Sequence, residues 1–334
     1  VSKAGIETAF TRLAGIRYPI VAAPMFLVST PRLVAAVSEA GGLGAMPAHN
    51  FRPVESLEAA LAEVCRLTSA PFAVNIIVNR ANPYREEHIR ACLKAGVPVL
   101  ITSLGNPGSL IKDAHGSGTK VLCDVVDLSY ALRVQDLGAD GVVAVGAGAG
   151  GHAGLTTPQV LVPYLKERLS VPVLAAGGIA TGRGLLAALS LGADAAYIGT
   201  RFIASSEAEV SDAYKQAILK SGPGDIIYTA RITGTHGNFI RTPELEREGT
   251  EVSRIERFLY RNRWTKKWSR GLKLLSANKK LERSARGTGS RPWKDLWSAG
   301  QGVGLVHEIK PAADIIAEII GEYEAARAAL PPGG

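Results

Sequence analysis

Short apolar runs recur along the chain, and segments with helical spacing lie between them. The runs IVAAPM (20–25), LGAMPA (43–48), FAVNII (72–77), VLITSL (99–104), KVLCDV (120–125), GVVAVG (141–146), VPVLAAGG (171–178) and AAYIGTRF (195–202) predict eight strands. Their nearly continuous apolar character means that both faces are covered, the condition of a parallel sheet wrapped in helices. Between them lie helical patterns such as PRLVAAVSEAG and VESLEAALAEVCRLT. The second sets Val54, Leu57, Leu61 and Val64 at three- and four-residue steps, one face of a helix. A helix end, a glycine and a strand recur in EAGGLGAM, KAGVPVLI, LGADGVVAV and LGADAAYIG. The glycine suits a left-handed helix cap. Eight such units close into an α/β chain of the (β/α)8 TIM barrel type. A doubly wound open sheet is the alternative.

After the eighth strand the rhythm stops. Residues 205–297 read mostly as helix and are longer than a strand-to-helix connection needs. A last helix, roughly Gln301 to Ala329, resumes the pattern. Residues 1–204 together with 298–334 therefore form the barrel, and 205–297 form a helical insert before its final helix. The insert leaves the C-terminal end of strand eight, the face where barrel enzymes keep their active sites, so it is placed as a lid.

Charge sharpens this division. The chain of 334 residues is 46% apolar and carries a net charge of +8. Between Arg254 and Lys294, 14 Lys and Arg face two acids, Glu256 and Glu282, so that stretch holds +12 and the remainder −4. All four tryptophans (Trp264, Trp268, Trp293, Trp297) fall in or beside it. A solvated helical face accounts for such a run as well as a surface for an anionic, extended substrate does. No nucleic-acid-binding module surrounds it, so nucleic acid is set aside as a partner. Cys65, Cys92 and Cys123 are odd in number and lack zinc spacing, which points to a reducing, cytoplasmic setting. VSKAGIETAF lacks the apolar run of a signal peptide. The charge-free run Gly141–Leu165 holds six glycines and two prolines and is not read as a membrane span. Oligomeric state stays open, a homodimer included.

The candidate chemistry gathers at strand ends. AAGGIATGRG (175–184) and YIGTRF (197–202) each lead from a strand into a helix, the usual phosphate site of barrels. Gly177, Gly178, Gly199 and Thr200 are the expected cradle, although tight turns alone also require such glycines. His152 stands in GAGAGGHAG just past strand six. A neutral imidazole there can take a proton from a carbon acid, and glycine lets backbone approach a flat ring closely. Asn75, ending strand three, offers an amide to a flavin edge or a carbonyl. Met25 is compatible with packing on a planar cofactor or with ordinary core packing. No cluster at metal-ligand spacing, GxSxG elbow or Walker-type loop is present, so no metal is expected.

AAPM, EAGGLG, PFAVN, GAGAGGHAG, AAGGIATGRG, IGTRF and SAGQ (298–301) resemble the nitronate monooxygenase family, formerly called 2-nitropropane dioxygenases, over roughly 10–205 and 297–325. FMN-dependent enoyl-acyl-carrier-protein reductases are similar in the same motifs. The resemblance implies an FMN-dependent barrel acting on a small molecule. It implies that Gly177, Gly178, Gly199 and Thr200 hold the FMN phosphate. It also implies that Ala23, Pro24, Met25, Asn75, Asp124, Gly150, Gly151, Ala176, Ser298, Gly300 and Gln301 line the cofactor. His152 matches the family's base, which takes the α-proton of a nitroalkane on the way to a carbonyl compound and nitrite. The alternative it implies is an NAD(P)H-dependent reductase of enoyl thioesters or quinones. Three departures stand out: AAPM where many members carry QGGM, Asp124 where a lysine often sits near the flavin, and Gly148 where an acid often precedes the histidine. A carboxylate at 124 would disfavour an anionic reduced flavin.

Overall fold

A computed structural model describes residues 5–230, 235–248 and 297–331. The expected strands form at Ile20–Ala22 (β1), Leu43–Pro47 (β2), Phe72–Ile77 (β3), Val99–Ser103 (β4), Lys120–Val125 (β5) and Gly141–Val145 (β6). After a two-residue strand at Gly151–His152 (β7), the last two barrel strands are Val173–Ala176 (β8) and Ala195–Ile198 (β9). Their order is β1-β2-β3-β4-β5-β6-β8-β9, and β9 returns to β1 in parallel with Val21 beside Tyr197. The sheet is closed, which excludes the open doubly wound alternative and makes the fold a (β/α)8 barrel.

Local chemistry explains the helices. Thr30, Asp127 and Thr181 each accept a hydrogen bond from a first-turn N–H of the helix that follows, satisfying a donor with no partner inside that helix. Helix Val54–Leu67 buries Leu57, Ala60, Leu61 and Val64, the face that its spacing predicts.

The period of two along each strand does the rest. Val21, Leu43, Ala73, Ile101, Leu122, Val143 and Leu174 fill the barrel interior. Phe10, fully buried on helix Ala9–Ala14, closes the end where the strands begin. Two residues further along, the same phase brings Asn75, Asp124 and Tyr197 inward, and Ser103 follows Ile101 on β4. The interior therefore turns polar at the C-terminal mouth.

The insert differs from its expectation. Asp212–Lys220 and Pro243–Glu248 are helices, but Ile226–Thr229 (β10) and Gly237–Ile240 (β11) are antiparallel strands, and β11 also pairs with β7. The sequence Ile-Ile-Tyr-Thr is β-branched and aromatic, and such residues favour strands over helices. The basic stretch Arg254–Lys294, with its lid role, lies outside the described residues. The last helix begins at Ala312 and not near Gln301. Gly300, Gly302, Gly304 and Pro311 break the helical run, and Gln301–Leu305 is a short 3-10 turn. The Glu207 carboxylate caps that helix, accepting from the Ala312 N–H at 3.0 and 3.1 Å.

All three cysteines are free. The run Gly141–Leu165 divides into β6, β7 and helix Pro158–Lys166. Among the described residues, no helix is long and apolar enough to cross a membrane, and no cluster of three potential metal ligands occurs.

Candidate active site

The loop after β6 turns through glycines. Gly148 and Gly151 have φ of +84° and +68°, a region where a Cβ is costly. The chain then runs as β7, with His152 opposite Gly237 and Gly151 opposite Asn238. A Cβ on Gly237 would stand 2.7 Å from the Gly151 carbonyl oxygen, so this pairing depends on glycine. Asn238 is 4% exposed, and its Nδ2 donates to the Ala149 carbonyl at 2.7 Å. The Tyr228 hydroxyl donates to the Ala153 carbonyl at 3.1 Å, and its ring stacks on His236 with centroids 5.1 Å apart. A hairpin of the insert thus fixes the histidine loop.

The His152 ring is exposed by area, yet desolvation by surrounding protein lowers its pKa below the ordinary imidazole value. A pKa lowered in this way keeps the ring neutral at pH 7 and able to accept a proton. Asn238→Leu removes the donor to Ala149 and leaves that carbonyl short of a partner. The expected loss is about 2 kcal/mol of stability, read by thermal unfolding. An unchanged midpoint would mean that this bond does not hold the loop.

Several of the expected cofactor residues lie against the same loop. Gly177 and Gly178 follow β8 with φ of +125° and +72°. A Cβ on Gly177 would meet the Ala147 carbonyl at 2.8 Å, while the space beside Gly178 is open to 4 Å. Gly300 donates its N–H to Thr200 Oγ1 at 2.9 Å, and Gln301 donates its N–H to the Gly148 carbonyl at 2.9 Å. A Cβ on Gly150 would lie 2.9 Å from the Gly300 nitrogen, and one on Gly151 would lie 3.3 Å from Ser298 Oγ. Residues 298–301 therefore lie directly against the histidine loop. Ala176 ends β8 beside Val145.

On the β1 side, the Ala23 N–H donates to the Ile198 carbonyl at 2.9 Å, and Pro24 and Met25 follow. Asn50 braces this turn by donating to the Met25 carbonyl at 3.3 Å and accepting from the Leu27 N–H at 2.9 Å. Met25 Sδ lies 3.7 Å from where a Cβ of Gly199 would be. His49 packs between the rings of Phe26 and Tyr84, and burial lowers its pKa to about 4.

At the mouth, Asn75 Nδ2 donates to the Ile101 carbonyl at 3.2 Å and to Ser103 Oγ at 2.7 Å. Ser103 in turn donates to Asp124 Oδ2 at 2.5 Å. Burial pushes the Asp124 pKa up to about 6, against the weaker pull of the Ser103 hydrogen bond. Sequence reasoning missed Ser103, Tyr197, Tyr228 and Asn238. Ser103 and Tyr197 carried a usable signal, a polar side chain in the inward phase near the end of an apolar run.

The family model described as nitronate monooxygenase matches residues 7–322. The chain belongs to the nitronate monooxygenase family. It is 32% identical to the nitronate monooxygenase of Pseudomonas aeruginosa, over 94% of this chain and 98% of that protein. It is 34% identical to a (3aS,4S,5R,7aS)-5-hydroxy-7a-methyl-1-oxo-octahydro-1H-indene-4-carboxyl-CoA dehydrogenase of Rhodococcus jostii, over 71% of this chain and 66% of that protein. Among solved structures, FabK of Thermotoga maritima is 35% identical with a TM-score of 0.82, covering 97% of this chain and 98% of its own. A nitroalkane oxidase of Streptomyces ansochromogenes is 26% identical with a TM-score of 0.79, covering 97% and 100%. These likenesses make the chain an oxidoreductase of the nitronate monooxygenase family. Near the end of β5 the chain presents Asp124 bonded to Ser103.

Proposed function

We propose that this chain is an FMN-dependent oxidoreductase that oxidises alkyl nitronates and nitroalkanes with O2 to a carbonyl compound and nitrite. The observation that carries this reading is the placement of His152, held by β7 on a glycine loop beyond the end of β6, where desolvation lowers its pKa. The likeness to the nitronate monooxygenase of Pseudomonas aeruginosa supports it.

The residues present fit FMN. Gly178 leaves open space in the glycine turn after β8, where backbone N–H groups suit a phosphate. The helix beyond it already gives its Gly182 N–H to the Glu322 carboxylate. Gly199 and Thr200 begin the next helix, with Met25 beside them. Asp124 keeps a buried oxygen, Oδ1, with no partner among the described residues. Bound there, FMN would supply the redox chemistry, accepting electrons from the substrate carbon and delivering them to O2.

The chain's own part is proton handling and positioning. A ring nitrogen of His152 takes the α-proton of a neutral nitroalkane, and the C–H electron pair stays behind as the nitronate. Gly150 and Gly151 let residues 298–300 pack against the loop that carries the imidazole. Asn238 and Gly237 hold the backbone that carries the imidazole. The free cysteines support a cytoplasmic setting.

Anaerobic stopped-flow absorbance of the FMN-loaded protein tests this reading. Bleaching by a nitronate, with no response to NADH or NADPH, is the expected result. Fast bleaching by NADH or NADPH would favour a second reading, a reductase of enoyl thioesters or quinones. That reading draws on the relative named as a carboxyl-CoA dehydrogenase and on the charge of Arg254–Lys294, which suits an anionic carrier. A preparation that holds no FMN would sink both.

A further inference from the structure

Among the described residues, Asp124 carries a buried carboxylate oxygen at the mouth for which the reaction above has no use. Its surroundings set the direction of every hydrogen near it. Asn75 can only donate through Nδ2, and it donates to Ser103 Oγ. With that oxygen accepting, the Ser103 hydroxyl hydrogen points onward to Asp124 Oδ2. Oδ2 is therefore an acceptor already engaged. Oδ1 is buried and has no partner. A bare carboxylate oxygen out of water is costly, and a proton on it removes the cost.

We propose that Asp124 works as a neutral carboxylic acid, its proton on Oδ1, and donates a hydrogen bond to a ring nitrogen or carbonyl oxygen of the FMN bound over the end of β5. The hydrogens then run one way, from Asn75 to Ser103 to Asp124 to the ligand, and such a chain polarises each member in the same sense. This inference rests on the FMN reading and extends it to a single atom.

The neighbours agree with a neutral acid. Among the described residues, the titratable groups coupled to Asp124 are Tyr197 on β9, Cys123 on β5 and Tyr130 on the helix after β5. Burial raises the pKa of all three, so each is neutral at pH 7 and none offers a positive charge to a carboxylate. Before any ligand covers the mouth, Asp124 already titrates at about 6. A ring laid over the mouth adds an acceptor for that proton, which raises the value further. A flavin edge carries several carbonyl and imine-type acceptors and one N–H, so an O–H donor at this point matches it. A neutral acid also removes the repulsion that a carboxylate would exert on an anionic reduced ring.

The test is FMN affinity against pH, measured by quenching of FMN fluorescence on the full chain between pH 7 and 9. Binding should take up one proton, so the wild-type Kd should weaken about tenfold per pH unit. Asp124→Asn keeps a donor without a proton to lose, and its Kd should stay flat across the window. A second readout is the infrared carboxylic-acid C=O band, expected in the FMN-bound wild type at pH 8 and absent in Asp124→Asn. A wild-type Kd that does not change with pH, or the same slope in Asp124→Asn, overturns the proposal and leaves FMN binding intact. Failure to bind FMN at any pH overturns the proposal together with the functional reading.

Discussion

His152→Ala is expected to lower turnover of neutral nitroalkanes by about 100- to 10,000-fold, the usual weight of a positioned general base. Turnover of the preformed nitronate should largely survive, because that substrate has already lost its α-proton. FMN affinity should not change. The contrast separates a base from a residue that merely lines the site, and oxygen uptake with the two substrate forms measures it. Equal losses on both forms would make His152 an orienting group. The pH profile carries the same information. Desolvation lowers the His152 pKa below 6.5, so the neutral base persists to lower pH than for a free imidazole. For neutral nitroalkane, kcat/KM should rise with pH through that lowered value and level off above it.

Gly44→Val is expected to have the largest effect on stability. Gly44 faces outward on β2 against helix Pro31–Glu39. A Cβ there would lie 2.1 Å from the Val34 carbonyl oxygen and 2.7 Å from its Cα. Those atoms are backbone, so no side chain can swing aside and the whole helix must retreat from the sheet. Overpacking of this kind costs about 3 kcal/mol or more, a large share of the roughly 5–15 kcal/mol that holds a domain together. Thermal unfolding reads the loss. A variant that melts with the wild type would mean that the helix does not sit this close to β2.

The barrel was legible because its signals are local. Each strand is a short apolar run, and the glycine after each helix punctuates the repeat. Asn75 could be read for the same reason, since a polar residue within an apolar run is visible without any partner, whereas Asp124 came from the family resemblance. What stayed hidden depends on pairing. Ile226–Thr229 and Gly237–Ile240 are four residues each, too short for a period to declare itself, and they adjoin a segment rich in Lys and Arg that reads as helix. The glycines near position 237 were the available turn signal. Asn238 gains its role only from Ala149, 89 residues away, and Ser103 only from lying between β3 and β5. His152 was found through its glycine-rich setting, but the strand that holds it was not.

That strand also fixes an order of assembly. A nascent chain emerges from its N-terminal end, and all eight barrel strands have been made once Ile198 is out. Gly237 and Asn238, which align His152, are still to be synthesised at that moment, as is the Trp297 carbonyl that accepts from the Ile240 N–H at 2.8 Å. The growing polypeptide therefore passes through a stage with every strand of its barrel present and its reactive imidazole still unset. A product cut short in that interval would carry the histidine without the means to aim it.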